Sequence, residues 1–340
     1  MKLTSLFERL YATYYIAIAQ HGEHFELLVE SISAKSSEQE AQHFDSFASM
    51  AAYIEGVINE SPYYYVGTLN QVKEQGALPT CNKSEMKRFS DISLAKILCF
   101  DNAWSVYSSK HELLEFERAH QPYGLDFVFS PFTILQRYFS DKIKEVLGLY
   151  VLVLYDALVL AVYSAKGLEF GEYIYLDPDT ISFGESHGDT FEDLHHDEHD
   201  LDLDELDVLD DLESLDDLES LDDIESLDDI DDVESFDDFT ESNDASNRLQ
   251  ESKAPERVAA SSGIDFYRYQ RIQAGLQRFY TTPEYNNTFI EAVFIADAVG
   301  VEDDLKHYIE EELFVTPIVR KIDVTEVLLQ LMKEEVANAL

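Results

Sequence analysis

The segment from Asp189 to Asp244, here called the acidic tract, contains 28 acidic residues and no lysine or arginine. From Leu209 to Phe239 it repeats a near-hexad, Leu-Asp-Asp-Leu-Glu-Ser, and its apolar residues recur at every third position. An α-helix turns every 3.6 residues and a strand alternates every two, so this spacing gives neither element a lasting apolar face. Like charges at this density repel one another. We therefore expect an extended, disordered insert at residues 184–262 that separates a front part of the chain from a back part.

The net charge restricts the partners of the chain. The formal charge is −45, and subtracting the 28 acids of the tract still leaves −17. A surface of this sign repels nucleic acid and anionic lipid, so we expect neither as a partner and favour basic protein surfaces. One basic patch stands out, and it is either a solvated surface or a binding site for the acidic tract or for an acidic partner: Lys83, Lys87, Arg88 and Lys96.

The cysteines and the apolar stretches indicate a soluble, intracellular protein. Cys81 and Cys99 are interpreted as ordinary intracellular thiols, because no apolar run of a secretory signal follows the first residues. The most apolar stretch, residues 147–162, is interrupted by Tyr155 and Asp156 near its middle. A charged residue at that place disfavours a membrane span, so the stretch is predicted to be a pair of buried strands.

The hydrophobic pattern predicts strands and helices in alternation. In the front part, a short helix at 5–11 precedes two apolar runs that flank a turn at Gly22 and predict a hairpin at 14–30. The further front elements are a helix at 44–58, a strand at 63–69, a loop at 75–80, a hairpin at 97–107, a helix at 111–120, a strand at 124–129 and a long helix at 131–146. The back elements are a meander of strands at 149–154, 158–163 and 170–175, a helix at 264–280, a strand at 292–296, a helix at 301–313, a strand at 317–320 and a helix at 324–336.

Four of these pieces carry a resemblance to a known family: the hairpin at 14–30, the helix at 131–146, the meander at 149–175 and the run from Glu291 to Gly300. Their order resembles the actin-like ATPase superfamily, and within it the PilM and GspL proteins of type IV pilus and type II secretion machines. The resemblance covers nearly the whole chain outside residues 184–262 and rests on element order more than on identities.

The resemblance implies an α/β fold with two actin-like, ribonuclease H-like lobes, degenerate in its nucleotide site, with a long acidic disordered insert in the second lobe. The implied boundaries are 1–130 for the first lobe, 131–148 for a connecting helix, 149–183 and 263–340 for the two parts of the second lobe, and 184–262 for the insert.

Nucleotide binding in this superfamily uses Asp-x-Gly turns in each hairpin and glycines near the adenosine. The resemblance implies four partly matching nucleotide-binding positions: Gly22, Asp156, Asp297 and Gly300. After Asp156 the chain carries Ala157 and Leu158, whose side chains hinder the close backbone approach that a phosphate requires. We therefore expect no catalytic residue, no metal site and no required cofactor, with binding of ATP and Mg²⁺ as the alternative.

Tyr63, Tyr64 and Tyr65 form an aromatic cluster in a predicted strand, where packing in the core is the ordinary role. Members of the resembled family capture a short peptide from a membrane partner against the first lobe. The resemblance therefore implies a second possibility, in which these tyrosines form a partner-binding face.

With its poorly matched nucleotide turns, the resemblance implies a non-catalytic cytoplasmic scaffold of a pilus, type II secretion or DNA-uptake machine. The resemblance implies that it binds the cytoplasmic tail of an inner-membrane protein, links it to the assembly ATPase and reaches the membrane only through that partner. Two alternatives stay open: a nucleotide-dependent actin-like switch, and an interaction protein whose functional element is the acidic tract.

Overall fold

The described residues form strands and helices in alternation. In a computed structural model of the protein these residues are 11–143, 146–176, 254–285, 288–301 and 303–339. The strands are β1 Thr13–His21, β2 His24–Ile32, β3 Ser37–Phe44, β4 Tyr64–Leu69, β5 Gln75–Leu78, β6 Ala95–Phe100, β7 Trp104–Ser109, β8 Phe127–Phe129, β9 Gly148–Val153, β10 Ala157–Ser164, β11 Gly167–Tyr175, β12 Ala292–Asp297 and β13 Ile318–Lys321. The helices are α1 Phe47–Ile58, α2 Lys83–Met86, α3 Lys110–Ala119, α4 Pro131–Tyr138, α5 Ala254–Thr281, α6 Asp303–Leu313 and α7 Val324–Ala339. The acidic repeat and nearly all of the helix predicted at 5–11 lie outside the described residues.

The same strand arrangement occurs twice. The first sheet has the order β3-β2-β1-β4-β8, and the second sheet contains β11-β10-β9-β12-β13 in the corresponding places. In each, three consecutive strands form an antiparallel meander, and two later strands join in parallel beside the first strand of the meander. This is the ribonuclease H-like arrangement duplicated in actin-like proteins, so the predicted two-lobed actin-like α/β fold is confirmed.

Local sequence explains the start of each lobe. The turn of the first hairpin has Gly22 at φ +64°, a backbone conformation that glycine adopts without a side-chain clash. The hairpin β9–β10 that opens the second lobe is buried along almost its whole length. The prediction that residues 147–162 form a buried strand pair is thus confirmed, and none of the helices in the described ranges is long and apolar enough to cross a bilayer.

Three strands assigned to the first lobe by the sequence belong to the second sheet. β5, β7 and β6 follow β11 in the sheet order, and the junction consists of the pairs Gly171 with Ala77 and Glu172 with Gly76. Residues 75–109, which the prediction puts in the first lobe at 1–130, thus pair with the second sheet, while the lobe boundaries themselves stay a prediction. The reason is that hydrogen bonds between strands distant in sequence, and not chain order, decide to which sheet a strand belongs.

A single hydrophobic core joins the two sheets. One cluster of buried side chains takes Tyr15 and Leu28 from the first sheet, Tyr150 from the second, Phe132 from α4 and Met332 from α7. α1 covers the other face of the first sheet, and α5 and α6 cover the other face of the second. The helices α4 and α7 thus lie between the sheets, and α7, at the end of the chain, completes the core of the first sheet.

Several predicted boundaries are corrected. The helix from Pro131 ends at Tyr138 and is followed by turns instead of continuing to residue 146. Ser130 caps its start by accepting the N–H of Phe132 at 3.4 Å, but Ser140 and Asp141 beyond its end are poor helix formers. The helix predicted at 264–280 begins at residue 254, inside the predicted insert. The segment 75–78, predicted as a loop, is strand β5, and strand β3 was not predicted at all.

The two cysteines are joined. Cys81, after β5, and Cys99, in β6, form a disulfide with their Cα atoms 5.7 Å apart, a normal separation for such a bond. The interpretation of both as free thiols is therefore wrong. The hairpin β6–β7, predicted at 97–107, turns at Asp101 and Asn102, both at positive φ, and it brings Cys99 to Cys81.

Candidate functional site

The structure brings together the three turns that carry the predicted nucleotide-binding residues. A cavity of about 400 Å³ is lined by His21 and His24 of the first hairpin, Tyr155 of the second hairpin, and Ala298 and Val299 after β12. These lining residues belong to the same three turns as Gly22, Asp156, and Asp297 with Gly300. The convergence follows from the duplicated topology, because β1, β9 and β12 all end toward the space between the lobes.

Side chains occupy the approach to this cavity that a phosphate would need. A Cβ atom added at Gly22 would lie 2.8 Å from Cε1 of Tyr155, so the tyrosine ring already packs against the first turn. Asp297 is 4% exposed, and its Oδ1 accepts the N–H groups of Val299 at 3.0 Å and Gly300 at 2.7 Å. Oδ1 of this carboxylate therefore closes its own turn and is already occupied by two backbone N–H groups.

Asp156 is the remaining carboxylate of the predicted set. Burial raises the pKa of Asp156, while its backbone hydrogen bond and the charges of His21 and Lys73 oppose that rise. A carboxyl group whose charge is disfavoured is a weaker Mg²⁺ ligand than a solvated one. The surroundings of Asp156 thus weaken its affinity for a cation.

The rim of the cavity carries histidine–carboxylate contacts that sequence reasoning missed. His21 Nε2 lies 3.2 Å and His43 Nδ1 3.4 Å from the two carboxylate oxygens of Glu26, and His24 Nδ1 lies 3.0 Å from Asp45. Within the described ranges, no three such side chains are grouped so that they could hold a metal ion. The alternation of His and Glu through the first turn was the available signal, but the pairing with His43 and Asp45 required the unpredicted strand β3.

The three predicted partner-binding tyrosines do not share a face. β4 lies inside the first sheet, between β1 and β8. Tyr64 packs toward α1, whereas Tyr65 points to the opposite face and stacks on Tyr15 with ring centroids 5.4 Å apart. Tyr63 precedes the strand and is half-buried. A common aromatic surface of these residues is therefore absent, and core packing accounts for Tyr64 and Tyr65.

A larger groove lies where an edge of each sheet is open. β8 is the last strand of the first sheet and β6 the last strand of the second. Between them is a cavity of about 710 Å³, which we call the edge groove. Its walls come from β8, from the face of β6 and β7, and from α3, α4 and α7, with these apolar side chains among its lining: Leu98, Phe100, Val106, Leu113, Phe127, Phe129 and Leu331.

The chemistry of the edge groove suits an extended chain. Among the described residues each of these edge strands pairs with a strand on one side only, and backbone N–H and C=O groups of a strand edge can pair with a further strand. Leu98 is 59% exposed although it belongs to a strand, and ion pairs flank the apolar walls: Lys96 with Glu117 at 3.9 Å and Arg137 with Glu334 at 2.6 Å. Sequence reasoning missed this site because its two edges are joined only by the tertiary fold.

Two family models match the chain. One, described as Domain of unknown function (DUF8341), matches residues 149–337, which is more than half of the chain. The chain belongs to the DUF8341 family. A second model, Domain of unknown function (DUF8569), matches residues 11–136. The DUF8341 match runs from β9 through most of α7, and the junction of the two models falls in the turns after α4.

Among solved structures, the chain is similar to three proteins of low sequence identity. A Bacteroides thetaiotaomicron protein of unknown function with an actin-like ATPase fold has 15% identity and a TM-score of 0.32, with coverage of 54% of this chain and 77% of that one. The PilM–PilN type IV pilus biogenesis complex has 12% identity, a TM-score of 0.44 and coverage of 93% and 89%. The ethanolamine utilization protein EutJ from Carboxydothermus hydrogenoformans has 7% identity, a TM-score of 0.40 and coverage of 96% and 93%. No curated protein sequence matches the chain.

Proposed function

We propose that the protein is a non-catalytic scaffold that binds an extended peptide in the edge groove. The groove carries the proposal, because it places two open strand edges on either side of an apolar cavity large enough for several residues. A peptide strand beside β8 or β6 gains main-chain hydrogen bonds from the edge, and its apolar side chains gain buried area in the cavity. The flanking ion pairs remain in solvent and set orientation more than affinity.

The proposed kind of partner rests on the element order. It resembles PilM and GspL, so the proposed ligand is the cytoplasmic tail of an inner-membrane protein of a pilus or secretion machine, and the proposed second contact is the assembly ATPase. In this proposal the protein is cytoplasmic and reaches the inner face of the membrane through its partner. DNA uptake is an equivalent setting for the same binding chemistry.

The absence of catalysis is part of the proposal. The carboxylate of Asp297 is held by its own turn, and Tyr155 packs against Gly22 where a phosphate would approach. The second candidate, a nucleotide-dependent switch, is favoured by the convergence of the three turns on one cavity. In that case Gly22, Asp156, Asp297 and Gly300 would surround the nucleotide, and lobe movement would report its presence.

The test is a binding measurement with synthetic peptides of the cytoplasmic tails of inner-membrane proteins from the same genome, titrated against the full chain by fluorescence anisotropy. Leu98→Asp places a charge in the edge groove, and Leu94→Asp is the matched control at a leucine that is 79% exposed and outside the groove. A bound peptide would bury Leu98, and we expect loss of that contact to weaken peptide binding about 10- to 100-fold. Equal binding of a tail peptide to both variants, or no binding of any tail, would contradict the proposal.

A further inference from the structure

Three lysines surround a second cavity, on the side of β6 that carries α2. Lys83 and Lys87 come from α2 and its end, and Lys110 begins α3. With Ser90 and Ser93 they line a cavity of about 550 Å³, here called the lysine surface. All three lysines are exposed, so their ammonium groups are open to a ligand.

None of the three lysines forms an ion pair within the described part of the chain, although hydrogen bonds from Ser93 and then the charge of Lys87 lower the pKa of the Asp91 carboxyl beside them. Some other basic residues are paired, as Lys333 is with Glu30 and Arg278 with Glu172. The acidic side chain among those lining the cavity is Asp91, whose Oδ1 already accepts the N–H of Ser93 at 3.0 Å. In a chain with 69 acidic and 24 basic residues, three exposed lysines around one cavity are a local concentration of positive charge.

The floor of the cavity is apolar. Ile92 is 8% exposed, and Ala95 and Ile97 of β6 lie beside it. Leu94, at the same bend, is 79% exposed. A ligand that fills this surface therefore combines negative groups for the lysines with aliphatic side chains for the floor and for Leu94.

We propose that the lysine surface binds an acidic peptide segment of a partner protein, in which aspartate or glutamate residues alternate with leucine or isoleucine. Charge complementarity selects the carboxylates, and the apolar floor with Leu94 selects the aliphatic residues. This contact is separate from the edge groove and goes beyond the proposed function.

The net charge of the protein does not prevent this contact. At physiological ionic strength the Debye length is about 8 Å, so distant acidic residues are screened while the three lysines act on a ligand directly. Several nearby charges acting on one ligand reinforce one another, although each exposed pair by itself is weak. We expect reversal of two of the charges to weaken binding about tenfold.

The experiment titrates a labelled synthetic peptide, three copies of Leu-Asp-Asp-Leu-Glu-Ser, against the full chain. The test variant is Lys83→Glu with Lys87→Glu, and the matched control is Lys35→Glu with Lys166→Glu, two exposed lysines in hairpin turns elsewhere. Binding that falls about tenfold in the test variant only, and is absent for the Asn/Gln version of the peptide, supports the proposal. Leu98→Asp is expected to leave this binding unchanged, which separates it from the edge groove.

Three outcomes would overturn the proposal. One is no binding of the acidic peptide to the wild-type chain, and another is equal loss in the test and control variants. The third is displacement of the peptide by inorganic phosphate at equal concentration, which would indicate a site for simple anions instead of a peptide. As a second measurement, carbodiimide cross-linking should join the peptide carboxylates to Lys83, Lys87 or Lys110, and cross-links confined to other lysines would count against it.

Discussion

The junction between β11 and β5 is sensitive to one methyl group. Two residue pairs hold the strands β5, β7 and β6 to the second sheet, and Gly171 opposite Ala77 is one of them. A Cβ atom at Gly171 would lie 2.6 Å from Cβ of Ala77, 3.1 Å from its carbonyl oxygen and 3.2 Å from Cε1 of Phe132. A methyl group on Ala77 cannot rotate away, so Gly171→Ala can be accommodated only if the strands separate.

The cost follows from overpacking. Extra atoms in a packed interior typically raise the free energy by about 1–3 kcal/mol, and replacing glycine in a strand recovers roughly 0.5–1 kcal/mol of backbone entropy. The net destabilisation is therefore about 1–2 kcal/mol. For a folded part of this size each kcal/mol lowers Tm by roughly 2–4 °C, so we expect a decrease of about 2–8 °C.

The assay is urea unfolding of four proteins: wild type, Gly171→Ala, Ala77→Gly and the double variant. Ala77→Gly alone should cost roughly 0.5–1 kcal/mol through backbone entropy. In the double variant the clashing methyl is gone. Its loss of unfolding free energy relative to wild type should therefore be about 1 kcal/mol smaller than the sum of the losses in the two single variants. As a control, Gly56→Ala in α1, where an added Cβ meets nothing within 4 Å, should stabilise the helix by up to about 1 kcal/mol.

Two results would refute this reasoning. The first is a Gly171→Ala protein as stable as wild type, which would mean that the sheet absorbs the methyl without strain. The second is strict additivity in the double variant, which would mean that the destabilisation does not arise from the contact with Ala77. Because β6 and β7 form a wall of the edge groove, Gly171→Ala is also expected to weaken tail-peptide binding, and the double variant to restore part of it.

Three further predictions concern a buried carboxylate, the disulfide and nucleotide. Burial of Glu30 opposes its charge, but hydrogen bonds from Lys333, Ser37 and Gln39 outweigh it and lower the pKa of the carboxyl. Its stabilising contribution is thus present above the unfolded-state pKa of about 4.3 and lost as pH falls through the folded-state value. The difference in unfolding free energy between wild type and Glu30→Gln should shrink in that window, and a constant difference from pH 7 to 3 would contradict it. Reduction of the disulfide, whose cysteines are 18 residues apart, should lower the unfolding free energy by about 3 kcal/mol, and identical urea midpoints with and without dithiothreitol would argue against a stabilising bond. Mg-ATP at a large excess should leave Tm unchanged, whereas a ligand at a hundredfold excess over Kd would add about 2.7 kcal/mol, so a shift that disappears in Asp156→Ala would favour the switch.

The lobes could be predicted because their strands carry local signals. The hairpin around Gly22 and the strands after residue 147 are apolar and bounded by turn residues, so hydrophobic periodicity suffices. β3 gives no such signal, because its sequence, Ser-Glu-Gln-Glu-Ala-Gln-His-Phe, is polar and mostly exposed. It is a strand through its pairing with β2. β5 is likewise short and contains a glycine, and it is held by β7 and β11.

Some features of the candidate sites could be expected from the sequence, and others depend on side-chain orientation or on tertiary contacts. The convergence of the turns of Gly22, Asp156 and Asp297 followed from the resemblance, because a duplicated topology fixes where hairpin turns meet. The obstruction by Tyr155 and the self-capping of Asp297 depend on side-chain orientation, which element order does not contain. The edge groove joins segments at 95–100 and 127–129, and the disulfide joins the segment after β5 to β6, two strands that are not paired with each other, so both depend on tertiary contacts.

The position of α7 has a consequence for biosynthesis. The first sheet needs α7 to cover the face that contains Tyr15 and Leu28, yet the ribosome makes α7 about 300 residues after β1. At 5–20 residues per second this delay is roughly 15–60 s. During that time the nascent chain has an uncovered apolar face, followed by a long run of acidic residues that repel like-charged neighbours. On a polysome, the acidic tract therefore emerges after the front half and before α7, and we expect its charge to oppose association of adjacent nascent chains until the first lobe is complete.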